Sequence, residues 1–302
     1  MAERIYVQIP AYRDLELVPT VSDLLARARN PDRLTVCVAW QFGPGEEGVG
    51  HALRRLPGVQ ILSVSAAESQ GCNWARRLLQ ERWDGQEFTL FLDSHHRFVP
   101  GWDELLLRMH RELRESGVDK PILTGYLPPY DPVADPAGRV ETVYRMAVSE
   151  RYQGMAFKVA GHSVRDWRRL TSPIAAGYVS LHLLFAEGSF NEKVPFDPRI
   201  YFFADEIAIA LRAYTYGYDL FHPHLVLGWH LYERRTRTTH WADHPDWEAR
   251  NQASLRRLRQ LFAGALTGEY ALGPVRTISE YESHAQVTLL ADELAWLKGA
   301  TP

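Results

Sequence analysis

The sequence predicts an α/β protein whose first hundred residues form a parallel, doubly wound, nucleotide-binding half. Three observations carry this. Four short apolar, strand-type runs, at residues 4–9, 34–39, 59–64 and 88–92, alternate with stretches of helical spacing. The fourth run, Phe88 to Leu92, passes abruptly into Asp93-Ser94-His95-His96-Arg97. In an open α/β sheet that carboxyl edge is where ligands bind. The chain has 302 residues, 46% hydrophobic and 24% charged, which suits one large domain or one domain with an extension.

The elements follow in order. After the first strand, Pro10-Ala11-Tyr12-Arg13-Asp14 is a polar loop, and a helix runs from near Leu15 to Ala28 until Asn30-Pro31-Asp32 breaks it. The second strand leads to Gln41 and a loop rich in Gly, Pro and Glu, then a short helix near 51–56. The third strand precedes a helix over 69–82 that carries Asn73, Arg76 and Arg77. After the central strand, Val99-Pro100-Gly101 opens a helix with Leu105, Leu106, Met109 and Leu113 on one side. The second half is less regular. A short strand is expected over 121–124, a proline-rich loop over 126–139, strands within 143–164, and a loop then a buried strand over 173–185. A helix opens at Phe202-Phe203-Ala204-Asp205-Glu206 and is stopped by Gly217. A strand over 218–227, interrupted at His222-Pro223-His224, leads to Trp229-His230 and an Arg/Thr-rich loop. Residues 246–302 read as a C-terminal helical extension.

Asp93 and His95 are two apart on an extended segment, so both side chains point to one side. A carboxylate with an imidazole and no thiolate suits Mn²⁺, Mg²⁺ or Fe²⁺, although an Asp and a Ser after a strand also serve as a helix cap and turn. A third ligand is sought among His222, His224 and His230, of which His230 stands best, where a strand gives way to a loop. Asp205-Glu206 at a helix start fits the macrodipole, and equally a carboxylate facing a sugar or an acceptor hydroxyl. Arg13, Arg76 and Arg97 are candidates for phosphate neutralisation. There is no glycine-rich phosphate loop, so a diphosphate here depends on a metal and side chains.

Net charge is −3, which advertises neither nucleic acid nor anionic lipid as a partner. No run of eighteen apolar residues exists, so no membrane span is predicted. Cys37 and Cys72 lie among apolar or small residues and read as buried thiols. The first strand starts almost at Met1, and a soluble, cytoplasmic protein is expected.

Several segments, in order, resemble glycosyltransferase family 60, the polypeptide α-N-acetylglucosaminyltransferases. They are Ile9-Pro10-Ala11-Tyr12-Arg13-Asp14, Gly71-Cys72-Asn73-Trp74-Ala75-Arg76, Leu92 to Phe98, Ala175-Ala176-Gly177, Val194-Pro195-Phe196-Asp197-Pro198 with Phe203 to Glu206, and His230 to Arg234. The resemblance spans residues 4–245. It implies a GT-A fold and retaining transfer of GlcNAc from UDP-GlcNAc to a hydroxyl of a peptide, protein or small-molecule acceptor, with Mn²⁺ or Mg²⁺. It divides the chain into a GT-A domain over 1–245, with a nucleotide half to about 100 and an acceptor half beyond, and the extension over 246–302.

On this resemblance, Asp93-x-His95 is a variant of the Asp-x-Asp signature and His230 is the later metal ligand. Donor contacts fall at Pro10, Tyr12, Arg13, Arg76, Asp93, Ser94, Ala176 and Gly177. Glu206 and Asp205 match the acidic pair of the family's Gly-Glu-Glu segment, here Ala204-Asp205-Glu206. Two readings compete: a nucleotide-sugar-binding module without transfer, and a metal-dependent phosphoester hydrolase.

Overall fold

The computed structural model describes residues 3–152 and 156–290. Its elements run β1 (Ile5–Tyr12), α1 (Leu17–Arg27), β2 (Leu34–Phe42), α2 (Glu47–Leu53), β3 (Val59–Ser65), α3 (Cys72–Gln80), β4 (Phe88–Leu92), β5 (His96–Phe98) and α4 (Trp102–Glu115). The second half adds β6 (Pro121–Thr124), β7 (Tyr144–Tyr152), β8 (Ala156–Ser163), β9 (Ile174–Ala175), β10 (Leu183–Glu187), α5 (Phe190–Lys193) and α6 (Asp205–Thr215). Then follow β11 (Asp219–His222), β12 (Gly228–His230), α7 (His240–Asp243), α8 (Trp247–Phe262) and α9 (Ile278–Ala285). Residues 291–302 of the expected extension lie outside the described residues.

Eight strands form one sheet in the order β3-β2-β1-β4-β10-β6-β11-β9. β1, β2, β3 and β4 are mutually parallel neighbours, as the alternating pattern predicts. β10 is inserted antiparallel between β4 and β6, and β11 runs parallel to β6. The sheet is therefore mixed but mostly parallel. Its strands alternate between two apolar layers because successive side chains face opposite ways. Leu90 and Leu92 of β4 pack with Leu17, Val21 and Leu24 of α1 and with Trp102, Leu106 and Met109 of α4. Phe91, between them, faces the other layer, with Ile207 and Leu211 of α6. Leu255 and Leu258 of α8 and Tyr281 of α9 join this second layer, so the C-terminal helices share its core.

Two expectations change in detail. The helix expected over 69–82 starts at Cys72, because Ala66–Glu68 forms a separate 3-10 turn. The strand expected over 218–227 is two strands in two sheets: β11 stays in the main sheet, while β12 pairs antiparallel with β5. The strands expected within 143–164 are β7 and β8, which pair antiparallel. Among the described residues, no helix is long and apolar enough to cross a membrane.

Candidate active site

β4 delivers Asp93 to the carboxyl edge of the sheet, as the sequence predicts. The small β5–β12 ladder then closes a gap of more than a hundred residues. Its register sets His230 opposite His96, and Leu231 N donates to His95 O at 3.0 Å. Ligand atoms of Asp93, His95 and His230 consequently all lie within 4.8 Å of one another. His230 Nε2 is 3.4 Å, and His95 Nε2 4.0 Å, from Asp93 Oδ2. His222 and His224 take no part. The His222 ring donates from Nδ1 to Thr124 O and accepts at Nε2 from Met146 N, a core histidine with both nitrogens satisfied. His224 is buried and does not line either cavity at the site.

Asp14 braces the cluster from behind. Its Oδ2 accepts hydrogen bonds from His95 Nδ1 at 2.7 Å and from Ser94 Oγ at 2.6 Å. A carboxylate only accepts, so the His95 proton sits on Nδ1 and Nε2 carries the lone pair. The Arg237 guanidinium lies against the same ring, its NH1 donating to the Nε2 lone pair. His230 has no hydrogen-bond partner for either buried ring nitrogen. Burial holds the pKa of His230 well below the usual histidine range, and that of His182 likewise. Burial pushes the Asp93 carboxyl up, but the close imidazoles of His230, His182 and His95 outweigh it and keep it well below the carboxylate range. An ionised Asp93 beside a neutral His230 is the protonation state that metal binding requires.

Two cavities meet at Asp93. One, of about 290 Å³, is reached by Pro10, Tyr12 and Gln41 from the ends of β1 and β2, and by Ser94 and His240. The other, of about 640 Å³, is lined by Arg76, Asp205, Glu206, Phe203 and Trp241 among others. Arg76 NH1 pairs with Asp205 at 2.7 Å, and its NH2 is 3.6 Å from Asp93. Burial pushes Asp205 up against the pull of Arg76. Glu206 accepts from Leu181 N at 2.8 Å. Burial, then the charge of Asp205, raise its pKa to about 8.

The remaining expected residues fall elsewhere. Arg13 is turned onto Glu46 and Asp243, at 3.0 and 2.8 Å, and does not line the cavities. Arg97 pairs with Glu16 at 2.7 Å under the Tyr130 ring. Ala176 and Gly177 pack on α9: His284 Nε2 bonds Ala176 O, Tyr281 OH donates to Gly177 O, and a Cβ on Gly177 would meet Ala285 at 2.9 Å. The glycine is needed for that close approach. Cys37 is buried, and both cysteines are free thiols.

Residues 4–52 and 44–291 match the family described as Glycosyltransferase (GlcNAc). The chain belongs to that family. No curated protein matches the sequence. Among solved structures it is similar to GalNAc-T7, crystallised with UDP, GalNAc and Mn²⁺, with a TM-score of 0.60 and 15% identity over 99% of this chain. It spans 58% of the length of that protein. It is also similar to residues 1–349 of S. aureus TarS in complex with UDP-GlcNAc, with a TM-score of 0.55 and 12% identity over 93% of this chain and 70% of that one. At these identities the likeness is one of fold, and the glycosyltransferase has the GT-A fold.

Two side chains of the candidate site escape a reading of the sequence: Asp14 and His182. Asp14 stands in a loop singled out for its polarity, but its partner is 81 residues away. His182 interrupts the apolar run from Tyr178 to Phe185, and that interruption is its only signal.

Proposed function

We propose that this glycosyltransferase moves GlcNAc from UDP-GlcNAc to a hydroxyl of a peptide, protein or small-molecule acceptor, with retention at the anomeric carbon. In this reading Asp93, His95 and His230 hold one Mn²⁺ or Mg²⁺. The observation that carries it is the convergence of these three residues at the junction of two cavities. The residues fit a divalent ion: His230 has two buried, unpartnered nitrogens, and Asp14 turns the His95 lone pair inward, where an ion would displace the Arg237 guanidinium that now meets it. The family description and the UDP-sugar and Mn²⁺ ligands of the similar structures support the same choice.

The chain's own residues divide the work. The smaller cavity takes the nucleotide, with Tyr12, Pro10 and Ser94 beside it. Bound at the cluster, the divalent ion neutralises the charge that develops on the departing diphosphate. The larger cavity takes the sugar and the acceptor. Glu206, fixed by the Leu181 amide, faces the sugar, and the Arg76–Asp205 pair holds the wall next to Asp93. Asp205 is bound to Arg76. The resemblance to family 60 suggests a front-face route, in which the acceptor attacks on the face the diphosphate leaves and its proton passes to the departing phosphate oxygen.

Incorporation of labelled GlcNAc into a hydroxyl acceptor tests it. A thermal-shift panel of nucleotide sugars with and without Mn²⁺ ranks the donors, since saturating ligand stabilises by about 2–4 kcal/mol. Sugar release only to water favours the hydrolase, and binding with no turnover favours the binding module.

A further inference from the structure

We propose that His182 is a catalytic residue whose imidazole donates a hydrogen bond to the phosphate oxygen that departs from the sugar. The proposal rests on the UDP-sugar reading above. Three features of the ring support it.

The first is place. His182 is one of the few residues that line both cavities. Its neighbour Leu181 holds Glu206 on the sugar side, while its own Nε2 lies 3.9 Å from Asp93 Oδ2 on the diphosphate side. The bond joining sugar to phosphate has to cross this boundary.

The second is rigidity. The ring is sandwiched between His230, 3.8 Å away and 11° from parallel, and Tyr126, 4.7 Å away and 22° from parallel. Tyr232 meets it edge-on at 5.4 Å. A donor fixed this way needs no reorganisation when charge develops, which is what makes such groups effective.

The third is unused polarity. Nδ1 is buried without a partner, and Nε2 lies beyond hydrogen-bond range of Asp93. A buried ring with idle polar atoms costs stability that a phenyl group in the same stack would not. His182 is also absent from the group of converging ligand atoms formed by Asp93, His95 and His230. Nε2, on the Asp93 side, is the nitrogen placed to carry the N–H toward an oxygen of the donor, with Nδ1 buried behind it.

In the step, the bond between the anomeric carbon and the phosphate oxygen breaks and its electron pair stays on that oxygen. A bond from the acceptor oxygen to the anomeric carbon forms, and the acceptor's proton passes to the phosphate oxygen. His182 keeps its own proton and stabilises the developing charge.

The test compares the full chain with His182→Phe, which keeps the stack, and His182→Gln, which keeps an N–H. UDP binding in Mn²⁺ is measured by calorimetry, and kcat and KM with UDP-GlcNAc by product release. His182→Phe is expected to lower kcat about 100-fold, with the affinity for UDP in Mn²⁺ within about threefold of the parent. His182→Gln is expected to recover at least about tenfold of that loss. A parent-like kcat in His182→Phe overturns the proposal. So does a fall in UDP and Mn²⁺ affinity as large as that of His230→Ala, which would make His182 a metal ligand. If His182→Phe does not fold, His182→Leu, which also lacks an N–H, takes its place beside His182→Gln, and a parent-like kcat in His182→Leu overturns the proposal. A parent chain that neither binds UDP with Mn²⁺ nor turns over UDP-GlcNAc removes the functional reading itself, an outcome distinct from any change confined to the variants.

Discussion

The Asp14 carboxylate lies 2.7 Å from Nδ1 of His95 and fixes that ring with Nε2 toward Asp93. The two residues are 81 positions apart, joined by the end of β1 and the end of β4, which are neighbours in the sheet. Carboxylates behind metal-bound imidazoles set the tautomer and raise ligand basicity. Asp14→Asn is therefore expected to weaken Mn²⁺ binding about 10- to 100-fold, with the far-UV spectrum unchanged. Calorimetric titration with Mn²⁺ measures it, and an unchanged affinity would separate Asp14 from the site.

Arg76 and Asp205 form a buried ion pair at 2.7 Å. Removing one partner leaves the other charge uncompensated in the interior. Arg76→Ala should destabilise the fold by about 3–5 kcal/mol, whereas Arg76→Met with Asp205→Leu should cost far less. Urea denaturation of the three chains is the measurement. Equal losses in the single and double variants would show that the pair's charges are not the cause.

Ala204 sits at φ +63° immediately before α6, a left-handed conformation that L side chains rarely adopt. The family pattern that this segment resembles has glycine here, and the backbone gives the reason. A non-glycine residue in that region costs about 1–2 kcal/mol, partly offset by the greater freedom of glycine in the unfolded chain. Ala204→Gly should therefore stabilise the protein by about 0.5–1 kcal/mol, read as a shift in the urea midpoint with an unchanged slope. A lower midpoint would contradict this.

Glu206 has its pKa raised to about 8, first by burial and then by the charge of Asp205, while the Leu181 amide and Arg76 pull it down. The native state then holds a proton that the unfolded chain has released, between the ordinary glutamate pKa and about 8. Stability conferred by the protonated form is complete below that window and falls as pH rises through it, by at most ~1.4 kcal/mol per pH unit for one proton. Asp205 is also shifted up by burial and contributes in the same direction. Glu206→Gln should flatten the decline in stability from pH 5 to pH 8. A variant with the parent's slope would place the titration elsewhere.

Much of this architecture is legible in the residues. β1 to β4 follow from apolar runs and breakers, and Asp93 and His95 from their place after the fourth run. His230 is recoverable as the histidine at a strand's end. What the string does not reveal depends on distant pairing. The antiparallel insertion of β10 between β4 and β6 has no local signature, because a buried strand reads alike in either direction. The β5–β12 ladder, three residues on each strand, is too short to be recognised from periodicity. Yet it alone aligns His230 with His96. Asp14 and His182 join the candidate site only when such pairings bring them to the edge. Ala176 and Gly177 show the reverse: a small-residue segment that resembles a donor contact and instead packs against α9.

The central claim is that Asp93, His95 and His230 act as one divalent-ion site for a nucleotide diphosphate. Calorimetric titration of UDP into the full chain, in Mn²⁺ and in EDTA, with His230→Ala alongside, addresses it most directly. The account predicts binding that weakens at least about tenfold in EDTA and in the variant. UDP binding of equal strength with EDTA, or unimpaired in His230→Ala, would contradict it.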